Sequence, residues 1–150
     1  MPISRADAAK ILLRAAGYQL IYLKNNGMYP DLEDGSCDEI YLMNAVMYGL
    51  MEGYPDGTIR PNTTVNHAEF LKMVGNAFRL GRYMCYHYID VHPLAWYTQY
   101  AGIAEKYDFF LYKQDYLTPG LPMIRREAAW ALYQVLMFAE ECKVDGGCEC

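Results

Sequence analysis

The sequence predicts a mainly α-helical fold of tandem helix-loop-helix units, with very short strands at most. The first sign is self-similarity. At an offset of 59, Tyr29 aligns with Tyr88, Asp31 with Asp90, Tyr41 with Tyr100 and Ala45 with Ala104. After the loss of one residue, Tyr54 aligns with Tyr112, Pro61 with Pro119 and Glu69 with Glu127. At an offset of 62, Ile3-Ser4-Arg5-Ala6-Asp7 overlies Val65-Asn66-His67-Ala68-Glu69. The second sign is apolar residues at helical spacing, and the third is recurrent helix-start and turn chemistry. The implied organisation is a half-repeat over 1–17, full repeats over 28–81 and 86–140, and a Cys-rich tail over 141–150.

Each element follows from local chemistry. The first helix starts at Ser4, which stands three residues before Asp7 in the spacing of a capping box, and carries Ile11, Leu12 and Ala15 on one face. Tyr29-Pro30-Asp31 reads as an extended opening to the next repeat, followed by a helix over about 37–49 with Ile40, Met43, Val46 and Met47 at spacings of three and four. In Gly53-Tyr54-Pro55-Asp56-Gly57-Thr58-Ile59-Arg60-Pro61, Pro55 sets φ for a turn and Gly57 accepts positive φ, so Gly53, Asp56 and Gly57 are structural. Thr58-Ile59-Arg60 can form a very short strand. Asn66 and Glu69 repeat the capping arrangement before Phe70, Met73, Val74 and Phe78. Gly17 and Gly81 are expected to close the first two second-position helices. The last repeat has a helix over about 95–108 and a degenerate loop, Leu111-Tyr112-Lys113-Gln114-Asp115-Tyr116. Its final helix has Ile124 in the cap position before Glu127, which weakens the cap by roughly 1 kcal/mol. Asp31 and Asp90 are expected to hold the opening segments by accepting backbone N–H bonds. Such short helices cannot bury their apolar faces alone and must stack on one another.

Composition narrows the function. The 150 residues are 53% hydrophobic and 21% charged, with a formal net charge of -5. No basic run exists, which disfavours nucleic acid as a partner. No apolar run approaches the ~20 residues of a membrane span, so no membrane insertion is expected. No export-signal pattern precedes the first helix, so any such signal is expected outside this stretch. The acids recur at equivalent positions rather than as a pair in contrasting environments, and no nucleophile, metal or phosphate motif is present, so no catalytic residue and no cofactor are assigned. His67, His87 and His92 show no metal spacing with one another. The five cysteines, Cys37, Cys85, Cys142, Cys148 and Cys150, fit no standard zinc pattern. The last three either pair, chelate a soft metal or stay free. Fifteen tyrosines suit both half-exposed sugar-stacking surfaces and core edges.

The loop Gly53–Pro61, the segments Ser4-Arg5-Ala6-Asp7, Asn66-His67-Ala68-Glu69 and Ile124-Arg125-Arg126-Glu127, and Trp96 six residues after Asp90 together resemble S-layer homology domains. That family's unit has an aromatic-x-Asp opening, a Trp-led helix, a Gly-Tyr-x-Asp-Gly-Thr-Phe-x-Pro loop and a helix opening with Thr-Arg-Ala-Glu. The resemblance covers residues 3 to about 140. It implies a pseudo-threefold, three-pronged bundle at an extracellular cell surface, binding an acidic secondary cell-wall polysaccharide or peptidoglycan-linked glycan in the grooves between prongs. It implies Arg5, Arg125, His67, Trp96, Tyr54 and Arg60 as glycan-facing residues, with Asp31, Asp90, Glu69 and Glu127 structural. A guanidinium at a helix entrance suits a carboxylate such as a ketal-linked pyruvate. The same arginines could instead pair with surface acids, and Trp96 could stack on sugar or anchor packing. Cys37 in the tryptophan position, His67 in the arginine position and the absent first half of one repeat depart from the family. They favour a second reading, a structural module that packs against copies of itself or other surface proteins.

Overall fold

The computed structural model describes residues 1–110 and 115–144, with side chains described through residue 138. The predicted features at Leu111–Gln114 and in the tail from Cys142 onward therefore lie outside the described side chains. Five helices occur in the order α1 (Arg5–Ala15), α2 (Glu39–Met47), α3 (His67–Ala77), α4 (Thr98–Lys106) and α5 (Arg125–Val144). The fold is mainly helical, as predicted.

A closed ring of backbone hydrogen bonds ties the repeats together. Ile3 N–H donates to Met123 C=O (3.0 Å), Val65 N–H to Ile3 C=O (3.1 Å) and Met123 N–H to Val65 C=O (2.7 Å). These residues occupy the same position before α1, α3 and α5, and all three are buried. A second tier follows the same rotation: Arg5 N–H to Thr63 C=O, His67 N–H to Leu121 C=O and Arg125 N–H to Met1 C=O. Each helix start thus uses the preceding segment of a neighbouring repeat to satisfy N–H groups that a helix leaves orphaned. The flanking residues form isolated antiparallel bridges, Pro2 with Ile124, Ser4 with Thr64 and Asn66 with Pro122. Thr58–Arg60, which could form at most a very short strand, forms none; it follows a turn over Pro55–Gly57, with Gly57 N–H on Tyr54 C=O and Tyr54 N–H on Thr58 C=O.

From the ring the helices pair outward. α2 packs on α1, α4 packs on α3, and α1 lies against α3. Ile3, Leu12, Leu13, Leu42, Leu50, Ile59, Phe70, Leu71, Ile103, Phe109 and Leu117 are fully buried between them. Both α1 and α3 start with complete capping boxes. Ser4 Oγ accepts from Asp7 N–H (3.0 Å) while Asp7 accepts from Ser4 N–H, and Asn66 and Glu69 do the same. At α5 only Glu127 accepts, from Ile124 N–H (3.2 Å), because isoleucine offers no oxygen in return.

Three local expectations are corrected. α2 and α4 are shorter than predicted at both ends, and at their starts neither Asp38 nor Tyr97 makes a side-chain cap bond. Tyr29-Pro30-Asp31 is a turn rather than extended, closed by Leu32 N–H on Tyr29 C=O. Gly17 leaves α1 at φ +72°, but Gly81 does not close α3; Arg79 takes the matching position at φ +52°. The left-handed geometry costs an arginine roughly 1 kcal/mol. Packing of Leu80 against the core and the Leu80 N–H bond to Gly75 C=O hold it there.

Two buried polar residues that sequence reading passed over fix the long connection before α2. Glu39 accepts the N–H groups of Asn25 (2.7 Å) and Gly35 (2.8 Å), and these bonds hold its carboxyl below the usual range. Asn44 clamps Ile21, accepting its N–H and donating to its C=O.

Candidate functional site

The loop between α2 and α3 is shaped by an aspartate that the repeat pattern singles out. Asp31 Oδ1 and Oδ2 accept the N–H groups of Ile59 (3.0 Å) and Arg60 (2.7 Å), and Arg60 adopts φ +53°. With its N–H groups drawn to Asp31, the loop turns the Ile59 carbonyl toward Arg5 Nε, 2.9 Å away. Asp90 repeats the device in the next repeat, accepting from Leu117 and Thr118 N–H at 2.7 Å each, and Thr118 also lies at positive φ. The expected backbone acceptor role of both aspartates is thus seen, although the segment held is the loop rather than the opening. Gly53 is needed for close approach: a Cβ there would meet Tyr29 Cε1 at 2.6 Å.

Asp56 closes its own turn. It accepts from the N–H (3.0 Å) and hydroxyl (2.6 Å) of Thr58 and pairs with Arg60 Nη2 at 2.9 Å. The Thr58 hydroxyl, then Arg60, depress its pKa to about 2. A carboxyl so lowered contributes to loop order above its unfolded value and loses that contribution as pH falls through the folded value. The Thr58 amide resonance is therefore expected to shift with a midpoint of about 2. A midpoint at the ordinary aspartate value would show that the turn does not hold the carboxylate.

The Arg60 and Arg5 guanidiniums both lie over the Tyr54 ring, at 3.9 and 4.7 Å from its centroid. Arg5 is only 5% exposed. Its Nη2 donates to Glu52 C=O at 2.7 Å. Among the described residues, Nη1 makes no hydrogen bond and no carboxylate lies within ion-pair distance of Arg5. This buried cation borders a cleft of about 560 Å³ floored by Leu50, Met51 and Met73 and walled by Tyr54, Glu69, Lys72 and Trp96. Trp96 is 52% exposed and meets Tyr97 edge-on. Lys72 is paired at the rim with Glu52 at 3.3 Å. The cleft therefore combines the Arg5 and Lys72 cations, the Glu52 and Glu69 carboxylates, an aromatic face and an apolar floor.

The positions equivalent to Arg5 differ. His67 is buried, with Nδ1 3.0 Å from Leu117 C=O and Nε2 3.3 Å from the Glu127 carboxylate. An internal carboxylate occupies that position's outward edge. Arg125 is exposed, and no side-chain hydrogen bond or ion pair reaches it among the described residues. The structure thus brings Arg5, Tyr54, Arg60, Trp96 and Glu69 together and leaves His67 and Arg125 apart from them. Sequence reading missed Lys72 and Glu52. Lys72 matches Lys10 across the repeats, but nothing in that match says that α3 turns it into a cleft.

Helix-loop-helix repeats thus close into a threefold ring, with an arginine buried at one helix entrance beneath a Gly-Tyr-Pro-Asp-Gly-Thr loop. The S-layer homology domain model matches residues 29–71. Cell surface glycoprotein 1 of Acetivibrio thermocellus is 36% identical over 73 residues, covering 48% of this chain. The chain thus carries an S-layer homology domain over residues 29–71. It spans 3% of the length of that glycoprotein. No helix among the described residues is long and apolar enough to cross a membrane.

Proposed function

We propose that this chain is a non-catalytic anchor that holds a surface protein to the cell wall by binding an acidic wall polysaccharide in the Arg5 cleft. The observation that carries this reading is a buried guanidinium without a counter-ion at the edge of an open cleft. Burying a cation is costly unless an anion or several hydrogen bonds answer it, and two carbonyls answer Arg5 only in part. A carboxylate-bearing sugar, such as one with a pyruvate ketal, supplies the missing charge to Nη1. Its ring face lies on Trp96. Lys72 leaves Glu52 to reach the same anion. The His67 position binds no second glycan, because the Glu127 carboxylate already occupies its outward side. One ligand per chain is the expected stoichiometry.

Calorimetric titration with purified acidic wall glycan tests this. Wild-type protein should bind one equivalent, and glycan with its carboxylates reduced should not bind. Trp96→Ala should weaken binding about tenfold, or ~1.4 kcal/mol, with little effect on stability because the ring is half in solvent. Equal affinity for native and reduced glycan would refute the reading.

A further inference from the structure

Four charged side chains border the Arg5 cleft; two are fixed by other bonds and two are exchangeable. Arg5 is buried, with Nε on Ile59 C=O and Nη2 on Glu52 C=O. Glu69 is tied into the capping box of α3. One carboxylate oxygen accepts from Asn66 N–H at 3.1 Å, and the Tyr54 hydroxyl donates to the other at 3.4 Å. Glu52 and Lys72, by contrast, hold each other by side-chain charge alone. Lys72 Nζ lies 3.3 Å from Glu52 Oε1, with the two side chains 31% and 80% exposed. The Glu52 backbone is thus anchored by the guanidinium that an incoming anion must meet, while its carboxylate reaches Lys72 on α3 rather than Arg5. An ion pair this exposed contributes little, because water screens it, so Lys72 can change partner at small cost. A carboxylate arriving at Arg5 Nη1 comes next to the residue whose carbonyl shares that guanidinium, and like charges that close repel.

We propose that Glu52 is a specificity-determining residue of the cleft, a tethered counter-ion that holds Lys72 until the carboxylate of a ligand displaces it. The inference rests on the glycan-binding reading above and adds the residue that sets how tightly the anion is held. In the free chain the Glu52 carboxylate answers Lys72 and leaves Arg5 to the ligand. On binding, the ligand's carboxylate takes both cations, and Glu52 turns into solvent, where its side chain regains rotamer freedom. Lys72 keeps one anionic partner throughout, so the exchange favours a ligand that brings its own negative charge. A neutral sugar has nothing to replace Glu52 with and leaves the pair closed at the rim. Glu69 cannot take this part, because moving its carboxylate would undo the cap of α3.

Calorimetric titration of the full chain with purified acidic wall glycan tests the exchange in four proteins: wild type, Glu52→Gln, Lys72→Met and the double variant. Glu52→Gln should bind about threefold more tightly than the wild type, the size expected for releasing one exposed ion pair. Lys72→Met should bind more weakly, and adding Glu52→Gln to it should gain nothing, because Glu52 then has no cation to occupy. Equal or weaker binding by Glu52→Gln overturns the proposal. So does a gain that persists in the Lys72→Met background, which would make Glu52 a distant repelling charge. A glycan-free arm separates this proposal from the function it rests on. With Trp130→Phe as background, Trp96 is the one tryptophan left, and its fluorescence reports the cleft wall. Glu52→Gln should raise quenching by iodide roughly twofold, leave quenching by acrylamide unchanged, and lose the iodide effect in Lys72→Met. That pattern in a chain that binds no acidic glycan refutes the glycan reading and supports the exchange for another anion. Unchanged iodide quenching overturns the exchange.

Discussion

Arg5→Leu should lower the stability of the chain by about 2–4 kcal/mol and eliminate glycan binding together. Arg5 Nε and Nη2 hold the carbonyls of Ile59 and Glu52, two points of the loop that pack on the start of α1. Leucine fills much of the volume but leaves both carbonyls without a donor, and Ile59 is fully buried. Arg5→Lys separates the two roles. A lysine keeps the charge yet presents it as a point and cannot span both carbonyls, so an intermediate loss of stability and a larger loss of affinity are expected. Urea unfolding and glycan titration on the same samples measure both. An Arg5→Leu midpoint equal to that of the wild type would mean that the guanidinium does not hold the loop.

The second large effect is structural. Gly102→Ala should destabilise by about 2–3 kcal/mol, a fall in Tm of roughly 5–10 °C, although alanine is the better helix former by about 1 kcal/mol. A Cβ at Gly102 would overlap the backbone carbonyl of Tyr83. A backbone atom cannot rotate away, so α4 and the segment through Tyr83 must separate. Gly75→Ala is the control. Its Cβ meets the end of the Ile103 side chain, which can change rotamer, and a smaller loss is expected. Thermal unfolding followed by circular dichroism distinguishes the two. A stabilised Gly102→Ala protein would show that this close approach is absent in solution.

These two residues also mark the boundary of what the chain's own order reveals. The capping boxes at Ser4 and Asn66, the turn at Asp56 and the acceptor roles of Asp31 and Asp90 were legible because each is a short-range device, or recurs in register with the repeat. Arg5 was legible as a residue of interest through the family pattern. Its partners were not, since Ile59 and Glu52 lie 54 and 47 residues away. His67 read as a second anion reader, and only the arrangement of α5 shows that Glu127 fills its outward edge. Arg125 read as the equal of Arg5. It remains in solvent because no loop carbonyl reaches it among the described residues.

Sequence alone thus determined the helices, the repeat and the class of module, because helical periodicity, caps and turns are settled by neighbours a few positions apart. Tertiary structure decided which of three equivalent helix entrances opens on a cleft and which is met by a carboxylate. Those outcomes depend on what closes over each position across the ring, and three nearly identical local sequences meet three different surroundings there.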